Sequence, residues 1–191
     1  MGHLFVISGP SGVGKGTLIK TIFKSISDLS YSVSVTTRKP RKEEREGIDY
    51  FFVEEGTFKR FIKEDKFAEW AKVHGDYKGT LTSTINEALA EGRDLILEID
   101  VQGALEIKNK YPEGIFIFII PPSPEKLEER LRGRGTENEE GLKKRLNDAR
   151  CEMEYSKYYK HIVVNDDLEK AAEELKTIIV SERGKCKQEQ K

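Results

Sequence analysis

Residues 9–17 read Gly9, Pro10, Ser11, Gly12, Val13, Gly14, Lys15, Gly16 and Thr17, and no other stretch of the 191-residue chain limits its fold so sharply. The stretch follows the apolar run 4–7 and precedes Leu18, Ile19, Ile22, Phe23 and Ile26, which recur at helical spacing. A strand, a tight glycine-rich loop and a helix are therefore required in that order. Glycines let successive backbone N–H groups converge on one point, the helix N-terminus adds partial positive charge, and Lys15 adds a full one. That combination suits phosphate oxygens.

The runs 4–7, 95–97 with Ile99, and 115–120 are continuously apolar rather than alternating. Strands buried on both faces of a parallel sheet read this way. Weaker strands at 33–36 and 161–164 bring the sheet to about five, a common size. A second helical series, Leu168, Ala171, Ala172, Leu175, Ile178 and Ile179, lies near the end, and 182–191 reads as a frayed polar tail. The expectation is an α/β fold: a phosphate-loop NTPase core with a roughly five-stranded parallel sheet flanked by helices. Two regions break the alternation of strand and helix, so the core is expected from 1–33, 82–123 and 151–191. The insertions are 34–81, rich in arginine and aromatics, and 124–150, charged and helical.

Composition removes some partners. Lys and Arg number 33 against 34 Asp and Glu, a net charge of -1, which gives no electrostatic case for nucleic acid or a membrane surface. The N-terminal apolar run is too short for a signal peptide or a membrane span. Two cysteines, Cys151 and Cys186, without an evident bridge suit a reduced, cytoplasmic setting. His3, His74 and His161 lack metal-ligand spacing. A monomer or small homo-oligomer is expected.

The strict phosphate-loop motif places Ser or Thr directly after the lysine as a magnesium ligand, whereas this chain has Gly16 and only then Thr17. Mg2+ would then be held mainly by nucleotide phosphates and water, with Thr17 and Asp100 as outer-shell partners. Asp100 is equally well placed to N-cap a helix over 101–109. In the polar segment 34–41, Arg38 and Arg41 flank a proline, and Tyr50 follows. Arginine forks pair bidentately with phosphate, but Lys39, Lys42 and Arg45 make a plain solvated basic loop an equal reading.

Seven segments in order narrow this: SGPSGVGKGTL, SVTTRKPR, Gly47-Ile-Asp49-Tyr50-Phe-Phe52, EWAKVHG from Glu69, EIDVQGA from Glu98, RLRGRGT from Arg130 and VNDD from Val164. Together they resemble the guanylate kinase family over nearly the whole chain. The resemblance implies ATP and GMP as substrates, Mg2+ with ATP, a GMP-binding region at 34–81 and a lid at 124–150. It implies that Arg38, Arg41 and Tyr50 hold the GMP phosphate and that Ser34, Glu69 and Thr80 read guanine, with Tyr77, Gly79 and Asp100 beside them. Residues 9–17, Arg130, Arg134 and Asn165 would meet ATP, and Lys15, Arg38, Arg134 and Arg145 would serve the transfer. Asn165 has a turn or cap role as its alternative.

Chemistry supports the guanine assignment separately, because N1–H and N2–H side by side suit a carboxylate such as Glu69. Without the resemblance, Glu69 reads as an exposed polar position in the alternating segment 67–73. The family usually has two successive tyrosines here, the second touching the GMP phosphate; Lys78 takes that second place as a point charge without a tyrosine's geometry, with Tyr77 as the remaining substitute. Two rival functions are an AMP or pyrimidine monophosphate kinase, and a non-catalytic guanylate-kinase-like interaction module. Glu69 and Thr80 argue against the first, and the intact Gly9, Gly14 and Lys15 against the second.

Overall fold

The computed structural model describes residues 2–41, 43–73, 75–133 and 139–186. The chain opens with β1 (Leu4–Ser8), α1 (Lys15–Ile22) and β2 (Leu29–Tyr31). It then leaves the core for β3 (Val35–Thr36), β4 (Phe51–Phe52), α2 (Glu55–Lys63), β5 (Phe67–Val73) and β6 (Asp76–Leu81). It returns through α3 (Thr82–Ala90), β7 (Asp94–Glu98), α4 (Val101–Lys110) and β8 (Ile115–Ile120). Two charged helices, α5 (Pro124–Gly133) and α6 (Glu139–Met153), precede β9 (His161–Val164) and α7 (Leu168–Cys186).

The main sheet runs β2-β7-β1-β8-β9, parallel throughout. Alternate side chains enter two cores. Leu4, Val6, Leu95, Leu97 and Phe118 pack under α3 and α4, while Phe5, Ile7, Ile96, Ile117 and Ile119 pack under α1 and α7. Burial on both faces is why these runs carry no polar alternation. Strand order reverses beside β1, and in open parallel sheets a crevice forms outside the carboxyl ends of strands at such a point. The loop after β1 and residues 98–100 at the end of β7 lie there.

A second sheet, ordered β4-β3-β6-β5, has its own small core around Val35, Phe58 and Phe67. The strand expected at 33–36 belongs here and not in the main sheet. The fifth main-sheet strand is β2, which has three residues and only one aliphatic side chain, Leu29. It is held by ladder pairing to β7, continued by Ser32 N donating to Ile96 O at 2.9 Å, so its hydrophobic signal is weak. The frayed tail expected at 182–191 is corrected over 182–186, where α7 continues to Cys186, and residues 187–191 lie outside the described residues. Arg183 Nε donates to Asp94 Oδ2 at 2.5 Å and its Nη2 to the Asp28 carbonyl at 3.1 Å, while the other Asp94 oxygen accepts from His3 N at 2.7 Å. A buried carboxylate thus anchors the tail, which composition alone cannot show. Among the described residues no helix is long and apolar enough to cross a membrane.

Candidate active site

The loop after β1 is held from behind. Gly14, the last loop residue, has φ 97°, and a Cβ there would lie 2.6 Å from Asn165 Nδ2. A side chain at Gly14 would therefore be both strained and blocked. Asn165, only 5% exposed, donates its amide to the Val13 carbonyl at 2.8 Å. Arg130 of α5 reaches the carbonyls of Val13 (3.2 Å) and Asn165 (2.8 Å). Both side chains thus buttress the loop.

Lys15 Nζ folds back onto the carbonyls of Gly9 (2.5 Å) and Pro10 (3.2 Å). Burial holds its pKa below the usual lysine range, opposed by the charges of Glu98 and Glu152. The α6 helix lies across the loop: Arg145 Nη2 donates to Ser11 Oγ at 2.8 Å, and Glu152 accepts from Ser11 N at 3.2 Å. A carboxylate therefore sits on a loop N–H of the kind that phosphate would use. Burial pushes the Glu152 pKa up.

A cleft of about 640 Å³ opens from this loop toward the second sheet, lined by Lys15, Glu98 and Arg145 on the loop side, by Glu69, Ala71 and Lys78 on the sheet side, and by Asp100, which lies near Glu69. Glu69 reaches it through a β-bulge. Phe67 pairs with Leu81 and Glu69 with Thr80, so Ala68 is an extra residue on β5. With strict alternation Glu69 would share the face of Phe67, which packs on Phe58 at 4.3 Å between ring centroids. The bulge turns it to the opposite face, where Thr80 Oγ1 donates to Glu69 Oε1 at 2.6 Å. Glu69 is 5% exposed. Burial, and after it the nearby Asp100 charge, push its pKa up to about 7 against the lowering effect of the Thr80 bond. The β3–β6 register puts buried Ser34 on the face of Lys78 and Thr80. Asp100 caps α4, its Oδ1 accepting from Gly103 N at 2.8 Å, and also lines the cleft.

A sequence model described as guanylate kinase matches residues 1–182. The chain belongs to the guanylate kinase family. It is 50% identical over 182 residues to the guanylate kinase of Caldanaerobacter subterraneus subsp. tengcongensis, spanning 95% of this chain and 88% of that one. To the guanylate kinase of Bacillus anthracis it is 47% identical over 189 residues, spanning 98% and 91%. The crystal structure of guanylate kinase from Anaplasma phagocytophilum matches with a TM-score of 0.78 at 32% identity, over 95% of this chain and 86% of that one.

Set against the guanylate kinase pattern, the expected residues distribute unevenly. Gly9, Ser11, Lys15, Glu69, Asp100 and Arg145 share the one cleft. Arg38 stands with Tyr50 and Lys78: the Arg38 guanidinium lies 5.4 Å and Lys78 Nζ 5.3 Å from the Tyr50 ring centre. Arg38 Nη2 is engaged by both Glu44 oxygens (2.8 and 2.9 Å), and Arg41 N donates to the same carboxylate at 2.8 Å, with its side chain exposed. Hydrogen bonding to Glu44 raises the Arg38 pKa and, reciprocally, lowers that of Glu44.

Tyr77 is corrected: it points to the other face of β6 and stacks on Phe58 at 5.3 Å, so it is part of the small core. Gly79 shares that face, and a Cβ there would lie 2.8 Å from the Glu69 carbonyl oxygen and Trp70 Cβ. Thr17 is exposed and is not among the cleft residues. Arg134 lies outside the described residues. Sequence reasoning missed Glu98, Cys151 and Glu152 in the cleft. The spacing of Glu98 and Asp100, two apart at a strand end, was a usable signal. Cys151 and Glu152 gave none, because α6 is charged along its whole length.

Proposed function

We propose that the cleft binds ATP against the phosphate loop and GMP against the Glu69 face, and transfers the γ-phosphoryl group between them to give ADP and GDP. The observation that carries this reading is that Lys15 and Glu69, the latter held by Thr80, open into one cleft. Phosphoryl transfer builds charge on equatorial oxygens between in-line donor and acceptor, so it requires positioned cations rather than a covalent nucleophile. On binding ATP, Lys15 exchanges the carbonyls of Gly9 and Pro10 for the β and γ phosphates, and Ser11 N exchanges Glu152 for a phosphate oxygen. Arg145, joined by Arg134, neutralises the transferring group as residues 124–150 close as a lid and exclude water.

On the acceptor side, within the GMP-binding region 34–81, the Arg38 fork exchanges Glu44 for the GMP phosphate, with Arg41, Tyr50 and Lys78 adding donors. Ionised Glu69 accepts N1–H and N2–H of guanine, and Ser34 and Thr80 line the same face. The carboxylates of Glu98 and Asp100, hard oxygen donors beside the loop, fit Mg2+ held through water. The ion would supply positive charge to the nucleotide phosphates. A reduced, cytoplasmic setting suits the exposed thiol of Cys151.

The test is ADP formation with GMP, dGMP, AMP, CMP and UMP as acceptors. GMP is to exceed AMP by ~10⁴ in kcat/KM, since adenine leaves the buried carboxylate unpaired. Equal or better use of AMP would overturn the assignment.

A further inference from the structure

We propose that Gly103 is a specificity-positioning residue of the acceptor site: its missing side chain makes the room that the Glu69 carboxylate occupies, and its N–H fixes Asp100 beside it. A Cβ built on Gly103 would lie 2.8 Å from Glu69 Oε2, 3.3 Å from Glu69 Cδ and 3.5 Å from Asp100 Oδ1. The three nearest atoms thus belong to two cleft carboxylates, not to backbone or core. Gly79 shows the other pattern, since its neighbours are the Glu69 carbonyl, Trp70 Cβ and Phe67 Cδ1. It is a packing glycine, whereas Gly103 borders a polar site.

Two further observations fix the geometry. The backbone N of Gly103 donates to Asp100 Oδ1 at 2.8 Å, so the residue that leaves room for Glu69 also holds Asp100. Two turns along the same helix face, Lys110 Nζ donates to the Phe67 carbonyl at 3.0 Å, at the bulge that turns Glu69 toward the cleft. Lys110 thus ties the far end of α4 to β5, while the first turn of α4 lies against the Glu69 carboxylate, the flexible group nearest an added methyl. Glu69 has to yield, and Thr80, 2.6 Å from its other oxygen, opposes that movement. Glycine is a poor helix former, so local propensity does not account for it in the first turn of α4. This inference rests on the reading of Glu69 as the guanine-binding carboxylate.

The experiment is a double-mutant cycle of Gly103→Ala with Glu69→Ala, reading KM for GMP, KM for ATP, the GMP-to-AMP ratio of kcat/KM and the thermal midpoint. In the parent background Gly103→Ala is expected to raise KM for GMP about tenfold and lower the ratio, with KM for ATP within about twofold. In the Glu69→Ala background it is expected to change KM for GMP less than about twofold, because the added methyl then occupies vacated space. Equal penalties in both backgrounds, or an unchanged KM for GMP in the first, would overturn the proposal. Should Gly103→Ala lower the thermal midpoint, Glu69→Ala is to restore it, and a loss that persists assigns Gly103 to packing. A parent enzyme that fails to prefer GMP refutes the guanine reading instead, and the cycle on thermal midpoint still reports whether Gly103 acts through Glu69.

Discussion

The donor and acceptor halves of the cleft are built in different ways. The donor half is nine consecutive residues whose backbone geometry does most of the work, with Asn165 and Arg130 fastening the Val13 carbonyl from behind. The acceptor half is assembled from side chains on β5, β6, the cap of α4 and the loop around Arg38, far apart in sequence. Contiguous backbone sites tolerate sequence change outside the loop, whereas an assembled carboxylate face depends on register. One bulge residue, Ala68, decides whether Glu69 enters the cleft or the small core. In both halves a carboxylate of the chain itself pairs with a donor, Glu152 with Ser11 N and Glu44 with the Arg38 fork. On the proposed reading, substrate phosphate would displace a side chain in each half.

The largest effect that would separate the halves is expected at Lys15. Among the described residues its Nζ hydrogen-bonds the Gly9 and Pro10 carbonyls alone, so Lys15→Met should leave the thermal midpoint nearly unchanged. Turnover should fall by roughly 10²–10³, the usual loss when one preorganised donor to a developing charge is removed. Affinity for GMP, measured by calorimetry, should stay within about twofold, since among the described residues the acceptor half shares no hydrogen bond with Lys15. If turnover survives within tenfold of the parent, the donor half does not depend on this cation.

The same contrast explains what the sequence disclosed. The loop, the flanking strand and helix and the three strongest strands were legible because their signals are local: glycine spacing, a lysine and continuous apolar runs. The β2 strand was not, because only ladder bonds to β7 define it, and residues 33–36 carried the stronger β-branched signal. Tyr77 was assigned to the wrong side because facing on β6 follows from pairing with β3 and β5, which the spacing of tyrosines does not report. The anchoring of α7 by Asp94 joins residues 89 apart, and no window-based pattern can register it. Glu69 was legible only through resemblance, since its local pattern reads as an exposed strand position.

A smaller effect sharpens the acceptor half. Guanine donors require the ionised form of Glu69, whose pKa in the ligand-free protein lies at about 7. Affinity for GMP should therefore rise with pH up to about 7 and then level off, being about tenfold weaker at pH 6 than at pH 8. Glu69→Gln retains the titration of the GMP phosphate and should lose the extra slope, which isolates the side chain. The stability linkage has the opposite sign. The folded state holds this proton more tightly than the unfolded chain between the ordinary value of 4.5 and about 7. Ligand-free stability should thus fall as pH rises through that window and be flat above it. A pH-independent difference between parent and Glu69→Gln would remove Glu69 from guanine recognition.

The smallest effect concerns the one departure inside the loop itself. A Cβ on Gly16 would lie 3.5 and 3.6 Å from the two Glu98 carboxylate oxygens, ordinary contact distances, so Gly16→Ser fits without moving backbone. Its hydroxyl would restore the side chain that strict phosphate loops present to Mg2+, next to a carboxylate that already faces the cleft. If the ion is held by nucleotide phosphates and by water on Glu98 and Asp100, the added hydroxyl is redundant. The concentration of Mg2+ giving half-maximal rate should then shift by less than about threefold, within the scatter of substitutions that break no contact. A tenfold drop in that concentration would mean that the parent loop lacks a ligand it could use. The donor half would then share the dependence on separately placed side chains that marks the acceptor half.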